Sequence, residues 1–291
     1  MHDRTTTFGM LRAYAGRSVV ALASGLCLCV VGTTVGVVVQ GCGADSADTT
    51  SGKRVVLHTH AKVNDVARSE FTSAVGWNVT LKTALVSAGP FYYFDGAPPL
   101  VLQETCHPWR YAARVLGLRV AYAHPGHYQA GNAMGQMLES TNIDLLGVGV
   151  DLPDGDGVSG TYRSARFTFA VPSGKGSADL DGHVALAEGK AEKDGAAPRY
   201  FRAFADLDAI ERSASQAHIE GCEFTEVDVE VDGTVTVAVN PKIWFDLVDF
   251  TEAKEGSADH PVDLPEGSQP QIAFVLGVTQ LSAYKFSYSS P

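Results

Sequence analysis

The sequence predicts a mostly β fold, namely an antiparallel β-sandwich with a few short helices. Apolar and polar residues alternate in many short runs, which is the pattern of half-buried strands. Turn-forming glycine, proline and aspartate residues separate these runs, and helical patterns are few. Many short strands joined by such turns favour two packed antiparallel sheets.

The first 41 residues are predicted to be an export signal that is not part of this fold. Arg4, Arg12 and Arg17 form a basic start, and residues 18–39 are almost wholly apolar or small. A Gln-Gly pair then precedes Cys42, which resembles the cleavage box of bacterial lipoproteins and makes Cys42 the predicted lipidated residue. An uncleaved membrane anchor is the alternative, because a run of this length could span a bilayer. Either interpretation places the rest of the chain outside the cytoplasmic membrane.

The charge of the chain restricts its partners. The formal net charge is −11, and removal of the signal, with its three arginines and one aspartate, leaves about −13. Nucleic acids and anionic membrane surfaces need basic patches, so neither is an expected partner. We expect a lipid-anchored protein of the cell envelope, on its periplasmic or outer-membrane face, that meets the membrane through its lipid alone.

A flexible tether and one domain follow the signal. Residues 42–53 are small and polar, which is typical of a tether, and residues 54–291 are the predicted sandwich domain. Two alternating runs flank Asp232-Gly233, which predicts a β-hairpin at this point. The predicted strands are Arg54 to His60, Trp77 to Val86, Tyr162 to Val171, Arg199 to Phe204, two within Glu223 to Asn240, Gln271 to Gly277 and Ala283 to Tyr288.

Helices and irregular segments complete the predicted domain. Short helices are expected at Pro108 to Leu116, at Ala130 to Ser140 and at Asp206 to Ser213. The segment from Asp151 to Gly160 alternates aspartate with glycine but lacks the ligand spacing of an EF-hand, so it is expected to be a solvated loop.

His58 and His60 are the first candidate metal ligands. Residues i and i+2 of a strand point to the same face, and the sequence predicts a strand here. Two neighbouring imidazoles on one face can bind a single ion. The alternative is that both are exposed polar residues at a strand end.

His124 and His127 form a second candidate pair. Pro125-Gly126 between them excludes regular helix and central strand, and a turn there would bring the two rings together. We expect this pair to share one ion with His58 and His60, with the lone His107 as an auxiliary ligand. Turn histidines with no ligand role are the alternative.

Met134 and Met137 are auxiliary candidates. On the helix predicted for Ala130 to Ser140 they would share a face, although methionines at this spacing are more often core residues. Thioether ligands together with imidazole would favour copper, particularly Cu(I), whereas histidines alone suit Zn(II) and Cu(II) equally. The expected cofactor is therefore a copper or zinc ion.

The five cysteines leave one candidate disulfide. Cys27 and Cys29 lie in the signal and Cys42 is the predicted lipid site, so Cys106 and Cys222 remain. In an oxidising compartment two distant cysteines are expected to form a bridge. The alternative makes Cys106, with His107, a metal ligand or a nucleophile.

Catalysis is not expected. The sequence has no Gly-x-Ser-x-Gly, no His-Glu-x-x-His, no phosphate-binding loop and no dinucleotide fingerprint between strand and helix. The competing hypothesis to metal binding is a non-catalytic structural or interaction lipoprotein whose histidines are incidental. For metal binding, a transport or redox protein of the envelope is a possible but unidentified partner.

Four segments carry a resemblance to a known family. They are residues 76–81 (Gly-Trp-Asn-Val-Thr-Leu), residues 89–94 (Gly-Pro-Phe-Tyr-Tyr-Phe), residues 124–128 (His-Pro-Gly-His-Tyr) and residues 235–250, which contain Trp-Phe-Asp. In these the chain resembles the periplasmic copper-binding partner proteins of methanobactin operons. The resemblance implies an exported β-rich protein that binds copper through histidines and an oxidised tryptophan. The four-cysteine pattern of one branch is absent, and Trp77, the tryptophan nearest to His58 and His60, is expected to be a core residue.

Overall fold

Alternating side chains form strands over most of the domain, and these strands join in one sheet. The structure is a computed structural model that describes residues 52–99, 128–176 and 178–291. The described residues belong to one unit, Ala47–Pro291. The described residues form thirteen strands, namely β1 (Arg54–Val63), β2 (Phe71–Thr72), β3 (Asn78–Phe94), β4 (Ala133–Met137), β5 (Thr141–Asp144), β6 (Val150–Val158), β7 (Gly160–Phe169), β8 (Ala185–Glu192), β9 (Arg199–Ala205), β10 (His218–Val229), β11 (Gly233–Val239), β12 (Val262–Asp263) and β13 (Tyr284–Ser289).

The sheet is mixed. The prediction of a mostly β domain is confirmed, but the prediction of two packed antiparallel sheets is not. β1 pairs with β11 in parallel, as do β10 with β13 and β9 with β12. Alternation along a strand indicates which side chains are buried, but it does not indicate which strand lies alongside.

Eight of the strands pair in a closed ring. β3 pairs with β4, followed in order by β6, β1, β11, β13, β10 and β7, and β7 pairs again with β3. Phe91 of β3 marks the closure, since it lies opposite Met137 of β4 on one side and Phe167 of β7 on the other. β2, β5 and β8 pair with β3 beyond this ring, and β8 continues to β9 and β12.

Aromatic side chains fill the inside of this ring. The ring of Tyr93 lies 5.8 Å from Phe224, 6.0 Å from Phe286 and 6.3 Å from Tyr162, which belong to three other strands. All four side chains are buried. Aromatic pairs at these distances contribute about 0.5–1.5 kcal/mol each beyond the area they bury. The ring is therefore a packed core, and side chains on its outer face are the ones available to solvent.

Three α-helices occur among the described residues. They are α1 (Leu207–Ala214), α2 (Pro241–Phe245) and α3 (Gln269–Val278), and two short 3-10 turns cover Asp65–Arg68 and Leu281–Ala283. α1 confirms the helix predicted at residues 206–213. Within the described ranges, no helix combines the length and the apolar character needed to cross a membrane.

α3 corrects one prediction, because residues 271–277 were expected to form a strand. Seven of its ten residues are buried, including Pro270 in the first turn. Phe274 lies 6.0 Å from Trp244 and 5.2 Å from Phe245 of α2, measured between ring centroids. A short, mostly buried apolar run shows no periodicity that distinguishes a helix from a strand. Packing against α2 decided the outcome.

The predicted hairpin at Asp232-Gly233 is wrong, although both of its strands exist. β13 lies between β10 and β11 and pairs with each. The carboxylate of Asp232 instead accepts a hydrogen bond from the backbone N–H of Val56 (2.8 Å), and the hydroxyl of Tyr288 donates to the carbonyl oxygen of Val231 (2.8 Å). The Asp-Gly signal predicts only a local turn. Which strand lies beside β10 and β11 depends on β13, which pairs with both.

Two further segments are strands against expectation. The helix predicted at residues 130–140 is wrong, because β4 occupies this region and pairs with β3 and β6. The expected loop at residues 151–160 is also wrong, because β6 pairs with β1 over most of its length. Gly155 and Gly157 are both buried in β6, so these glycines permit close packing within the sheet and do not mark a solvated loop.

The remaining predictions concern residues that the structure does not describe. The predicted signal (residues 1–41), the lipidated Cys42 and the helix predicted at residues 108–116 lie outside the described residues. They stay predictions.

Candidate metal centre

Strand β1 presents two imidazoles on the outer face of the ring. Its odd-numbered residues from Val55 to Ala61 are buried, and the even-numbered ones lie on the opposite face. The side chain of His58 is 57% exposed and that of His60 is 32% exposed, so both rings reach solvent. The prediction that the two histidines share one face of a strand is confirmed.

A β-bulge in β6 brings carboxylates to these histidines. Leu57 pairs with Gly155 and Thr59 pairs with Leu152, so two residues of β6 lie opposite the single residue between them, His58. One of the two is Pro153, which has no N–H to donate, and a bulge is one of the few sites in a sheet that accept proline. The extra residue puts aspartates three apart in sequence opposite histidines two apart.

Each imidazole is oriented by its own carboxylate. Nδ1 of His58 lies 2.8 Å from Oδ1 of Asp154, and Nδ1 of His60 lies 2.7 Å from Oδ1 of Asp151. An ionised carboxylate only accepts hydrogen bonds, so Nδ1 carries the proton and donates. In the neutral imidazole this leaves the lone pair on Nε2, which is the form that can bind a metal.

The loop that leads into β6 lies next to His60. A Cβ atom on Gly149 would collide with Nε2 of His60, so only glycine lets the backbone pass this close. Arg68 holds the loop by donating hydrogen bonds to the carbonyl oxygens of Leu146 (2.9 Å) and Gly147 (2.6 Å). His60 is therefore surrounded by the loop that contains Gly149, which Arg68 holds in place, and by Asp151 of β6.

Thr234 and Thr236 border the site on the other side. They are the register partners of His58 and His60 in the parallel pair of β1 with β11. Directly paired residues of neighbouring strands point to the same face. The two imidazoles thus lie between a row of threonines and a row of aspartates.

Asp151 and Asp154 are the residues that the sequence interpretation missed. Residues 151–160 were expected to be a solvated loop, and the two aspartates were not assigned to the histidines. A signal was present, because Pro153 between them is compatible with a bulge and so with a shared face. Nothing local, however, connects them with histidines more than 90 positions away.

The other predicted histidine ligands are not placed. His107, His124 and His127 lie outside the described residues, so their predicted convergence with His58 and His60 stays a prediction. Over residues 52–99, 128–176 and 178–291, no three histidine, cysteine, aspartate or glutamate side chains are grouped so that they could hold a metal ion. Strand β1 and its neighbour β6 thus offer two oriented imidazoles and two carboxylates, each carboxylate hydrogen-bonded to one imidazole. A third pair of this kind, His183 with Asp206 (2.6 Å), lies elsewhere in the described residues.

The two methionines lie on strand β4 and not on a helix. Met134 lies in a β-bulge of this strand and packs against the core. Met137 is fully buried. Met134 is half-buried, and β6 separates its strand from β1. The structure therefore does not bring Met137 to the outer face that carries His58 and His60.

Trp77 is a core residue, as expected. It is 1% exposed, its ring lies 5.5 Å from that of Phe250, and its Nε1 donates to a carboxylate oxygen of Asp249 (3.1 Å). These contacts account for the residue without a role as a ligand.

Among the described residues, Cys222 forms no disulfide and lies in the core. It is fully buried, and its Sγ donates to the carbonyl oxygen of Ile219 (3.6 Å). Burial raises the pKa of this thiol to about 12. Cys106 lies outside the described residues, so the bridge between Cys106 and Cys222 stays a prediction.

We expect Cys222 to resist alkylation in the folded protein. At pH 8 a thiol with a pKa near 12 is almost wholly protonated, and the thiolate is the nucleophile. Iodoacetamide should label Cys222 slowly in the native state and rapidly in urea without reductant, as measured by mass spectrometry of its peptide. Labelling that requires reductant even in urea would instead demonstrate the bridge to Cys106, and rapid native labelling would contradict the burial.

Comparison with protein-family models, with curated proteins and with solved structures gives no match to this chain.

Proposed function

We propose that this protein binds a transition-metal ion, copper or zinc, through His58 and His60 as a lipid-anchored protein of the cell envelope. The observation that carries the proposal is the pairing of each Nδ1 with its own carboxylate, Asp154 for His58 and Asp151 for His60. Metal-binding histidines commonly donate their second ring nitrogen to a carboxylate, which fixes the tautomer and strengthens the ligand.

Two such pairs side by side support the proposal more than one would. An isolated pair between histidine and aspartate is a common surface ion pair of little consequence for stability. Here a bulge containing Pro153 matches the spacing of the aspartates to that of the histidines. The same outer face therefore carries two Nε2 atoms in the tautomer that metals require.

The donor set favours Zn(II) or Cu(II) over Cu(I). Met137 is buried in the core, which weakens the expectation of a thioether ligand. Imidazole nitrogen is a good ligand for both Zn(II) and Cu(II). In direct competition Cu(II) should bind more tightly than Zn(II). We propose a role in metal acquisition or handling and not in catalysis, with the remaining coordination supplied by His124, His127 or His107.

A structural or interaction lipoprotein is the second candidate. It is favoured by the absence, among residues 52–99, 128–176 and 178–291, of a third side chain that could complete a metal site. On this hypothesis the histidine–aspartate pairs only join β1 to β6. Full-length protein would then show neither tight metal binding nor a thermal shift with copper or zinc.

The carboxylates provide the sharpest test of the metal hypothesis. We expect Asp151→Asn with Asp154→Asn to weaken Zn(II) binding by roughly 10- to 100-fold, the range found when the outer partners of ligand histidines are removed. An asparagine can reverse the hydrogen-bond direction and favour the wrong tautomer. Competitive titration of the full chain with a chromophoric chelator, together with metal analysis after dialysis, would measure the change.

Asp156→Asn is the control for the loss of one carboxylate, and Asp151→Asn and Asp154→Asn are each measured singly against it. Asp156 is an exposed carboxylate of the same strand, but its backbone pairs with Val56 and Gln136 and not with a histidine. Its substitution should change the affinity by less than about twofold, since it removes no hydrogen bond to an imidazole and interactions between exposed charges are weak. If Asp156→Asn loses as much affinity as each single variant, the aspartates act only through general charge and the support for oriented ligands is removed.

A further inference from the structure

The loop between β5 and β6 covers one of the two histidines of β1. A Cβ atom on Gly149 would lie 2.4 Å from Nε2 and 2.8 Å from Cε1 of His60. Since a carbon–carbon single bond is about 1.5 Å long, the Cα atom of Gly149 lies within about 4 Å of this nitrogen. The side chain of His58 is more open, with 57% exposed against 32% for His60.

This contact leaves no room for a ligand between Nε2 of His60 and the loop. Nδ1 is already bonded to Asp151, so Nε2 is the ring nitrogen that carries the lone pair. A zinc ion lies about 2.0–2.1 Å from an imidazole nitrogen, and non-bonded carbon atoms keep roughly 3.5 Å from their neighbours. A ligand can therefore approach Nε2 from this side only if the loop moves.

Arg68 holds the loop in place. It ends the 3-10 turn that follows β1, and its guanidinium donates to the carbonyl oxygens of Leu146 and Gly147. A charged donor makes stronger hydrogen bonds than a neutral one. Leu146 also packs against the core, and its N–H donates to a carboxylate oxygen of Asp144 (3.0 Å). The first half of the loop is thus fixed by a few specific contacts.

The second half of the loop has the composition of a hinge. Val148 is 98% exposed, so no side-chain packing holds the tip. Glycines flank it on both sides, and Gly149 has a φ of +107°, a conformation that other residues rarely adopt. Hinges are a few loop residues that absorb changes in φ and ψ. Rotation about Gly147 and Gly149 would lift the backbone from Nε2 and leave β5 and β6 in place.

We propose that residues 146–149 form a gate over Nε2 of His60, which Arg68 holds closed and which opens about Gly147 and Gly149. The gate leaves His58 open. A ligand that uses both imidazoles therefore reaches His58 first and binds His60 only after the loop has opened. The effect on metal binding rests on the function proposed above, whereas the gate itself is a property of the metal-free chain.

Acylation of the full metal-free chain with diethyl pyrocarbonate tests the gate, because the lone pair of a neutral imidazole attacks this reagent. Fragment-ion mass spectrometry gives separate rates for His58 and His60. The two exposed fractions differ by less than twofold, whereas a closed loop should make His60 at least about 10-fold slower than His58. Arg68→Ala removes both charged hydrogen bonds and raises the open fraction, so the His60 rate should come within about threefold of an unchanged His58 rate.

Arg54→Ala is the matched control. Arg54 is an exposed arginine on the same outer face of β1, so its loss removes the same charge and no hydrogen bond to the loop. Both rates should equal those of the wild type. Equal rates for His58 and His60 in the wild type, or the same His60 rate in Arg68→Ala and Arg54→Ala, would overturn the gate. A rise of both rates in Arg68→Ala would mean that β1 itself has loosened, which also contradicts it.

Zinc titration of the same variants separates the gate from the proposed function. In Arg68→Ala the apparent Kd for Zn(II) should fall by about threefold or more, because a larger fraction of the chain is competent to bind. If the acylation rates are as expected but no variant binds zinc, the gate stands and the proposed function fails. If zinc binds equally to wild type and Arg68→Ala, and His58 and His60 are acylated equally, the gate fails and the function stands.

Discussion

Replacing His58 and His60 together with alanine is expected to abolish stoichiometric copper or zinc binding. The substitution removes both oriented Nε2 atoms from the outer face of β1 and leaves Asp151 and Asp154 without their partners. The loss should exceed the roughly 10- to 100-fold typical of an outer carboxylate, because direct ligands are removed. Metal content after dialysis and competitive titration would measure it.

The control for this experiment removes two other histidines. His218 lies on β10 and His260 in the loop before β12, so His218→Ala with His260→Ala keeps the histidine count of the test variant. This control should bind one metal per chain with wild-type affinity. If test and control retain equal metal, the β1 histidines are not ligands, and the interaction lipoprotein becomes the better hypothesis.

The fold is also expected to survive in the His58→Ala/His60→Ala variant. Both side chains lie on the outer face, and their ion pairs with aspartate are solvent-exposed, so each pair contributes at most about 1 kcal/mol to the free energy of unfolding. Circular dichroism and urea unfolding should therefore show a protein close to wild type. Loss of metal without loss of fold separates a ligand role from a structural one.

Phe286→Ala in strand β13 is expected to destabilise the protein strongly. Phe286 is 1% exposed, and its ring lies 5.8 Å from Phe91, 6.0 Å from Tyr93 and 6.3 Å from Phe224. Truncation of a buried phenylalanine costs about 3–5 kcal/mol in transfer and cavity terms. For a domain of this size that corresponds to a fall in melting temperature of roughly 6–20 °C.

Ser287→Ala provides the comparison one residue further along β13. Ser287 pairs with Thr236 and is half-buried on the opposite face of the strand. Its substitution should change the free energy of unfolding by less than about 0.5 kcal/mol, as is usual for surface positions. Urea unfolding of both variants measures the difference. If both variants lose less than about 0.5 kcal/mol of unfolding free energy, Phe286 does not contribute to the aromatic core as the structure indicates.

Local patterns predicted the faces of individual strands well. Alternation placed His58 and His60 together on one face of β1, and it placed Phe167 and Phe169 together on β7. It also indicated β9 and both strands around Asp232. The reason is that exposure alternates with every residue in a strand, so neighbours in sequence carry the information.

Non-local packing decided what alternation does not encode. The Asp-Gly turn predicted that β10 and β11 pair, yet β13 separates them because it buries Phe286 and Tyr284 between the two. An apolar run became helix α3 because α2 was available to pack against it. Neither outcome depends on a signal within the segment itself.

The same distinction between local pattern and non-local packing applies to the candidate site. By itself the sequence determined that two imidazoles share one face of β1, because residues two apart in a strand point the same way. Only the tertiary structure decided that Asp151 and Asp154 meet them, through a bulge in a strand that had the composition of a loop. The physical reason is that strand pairing minimises the free energy of the whole sheet, and that sum includes residues far away in sequence.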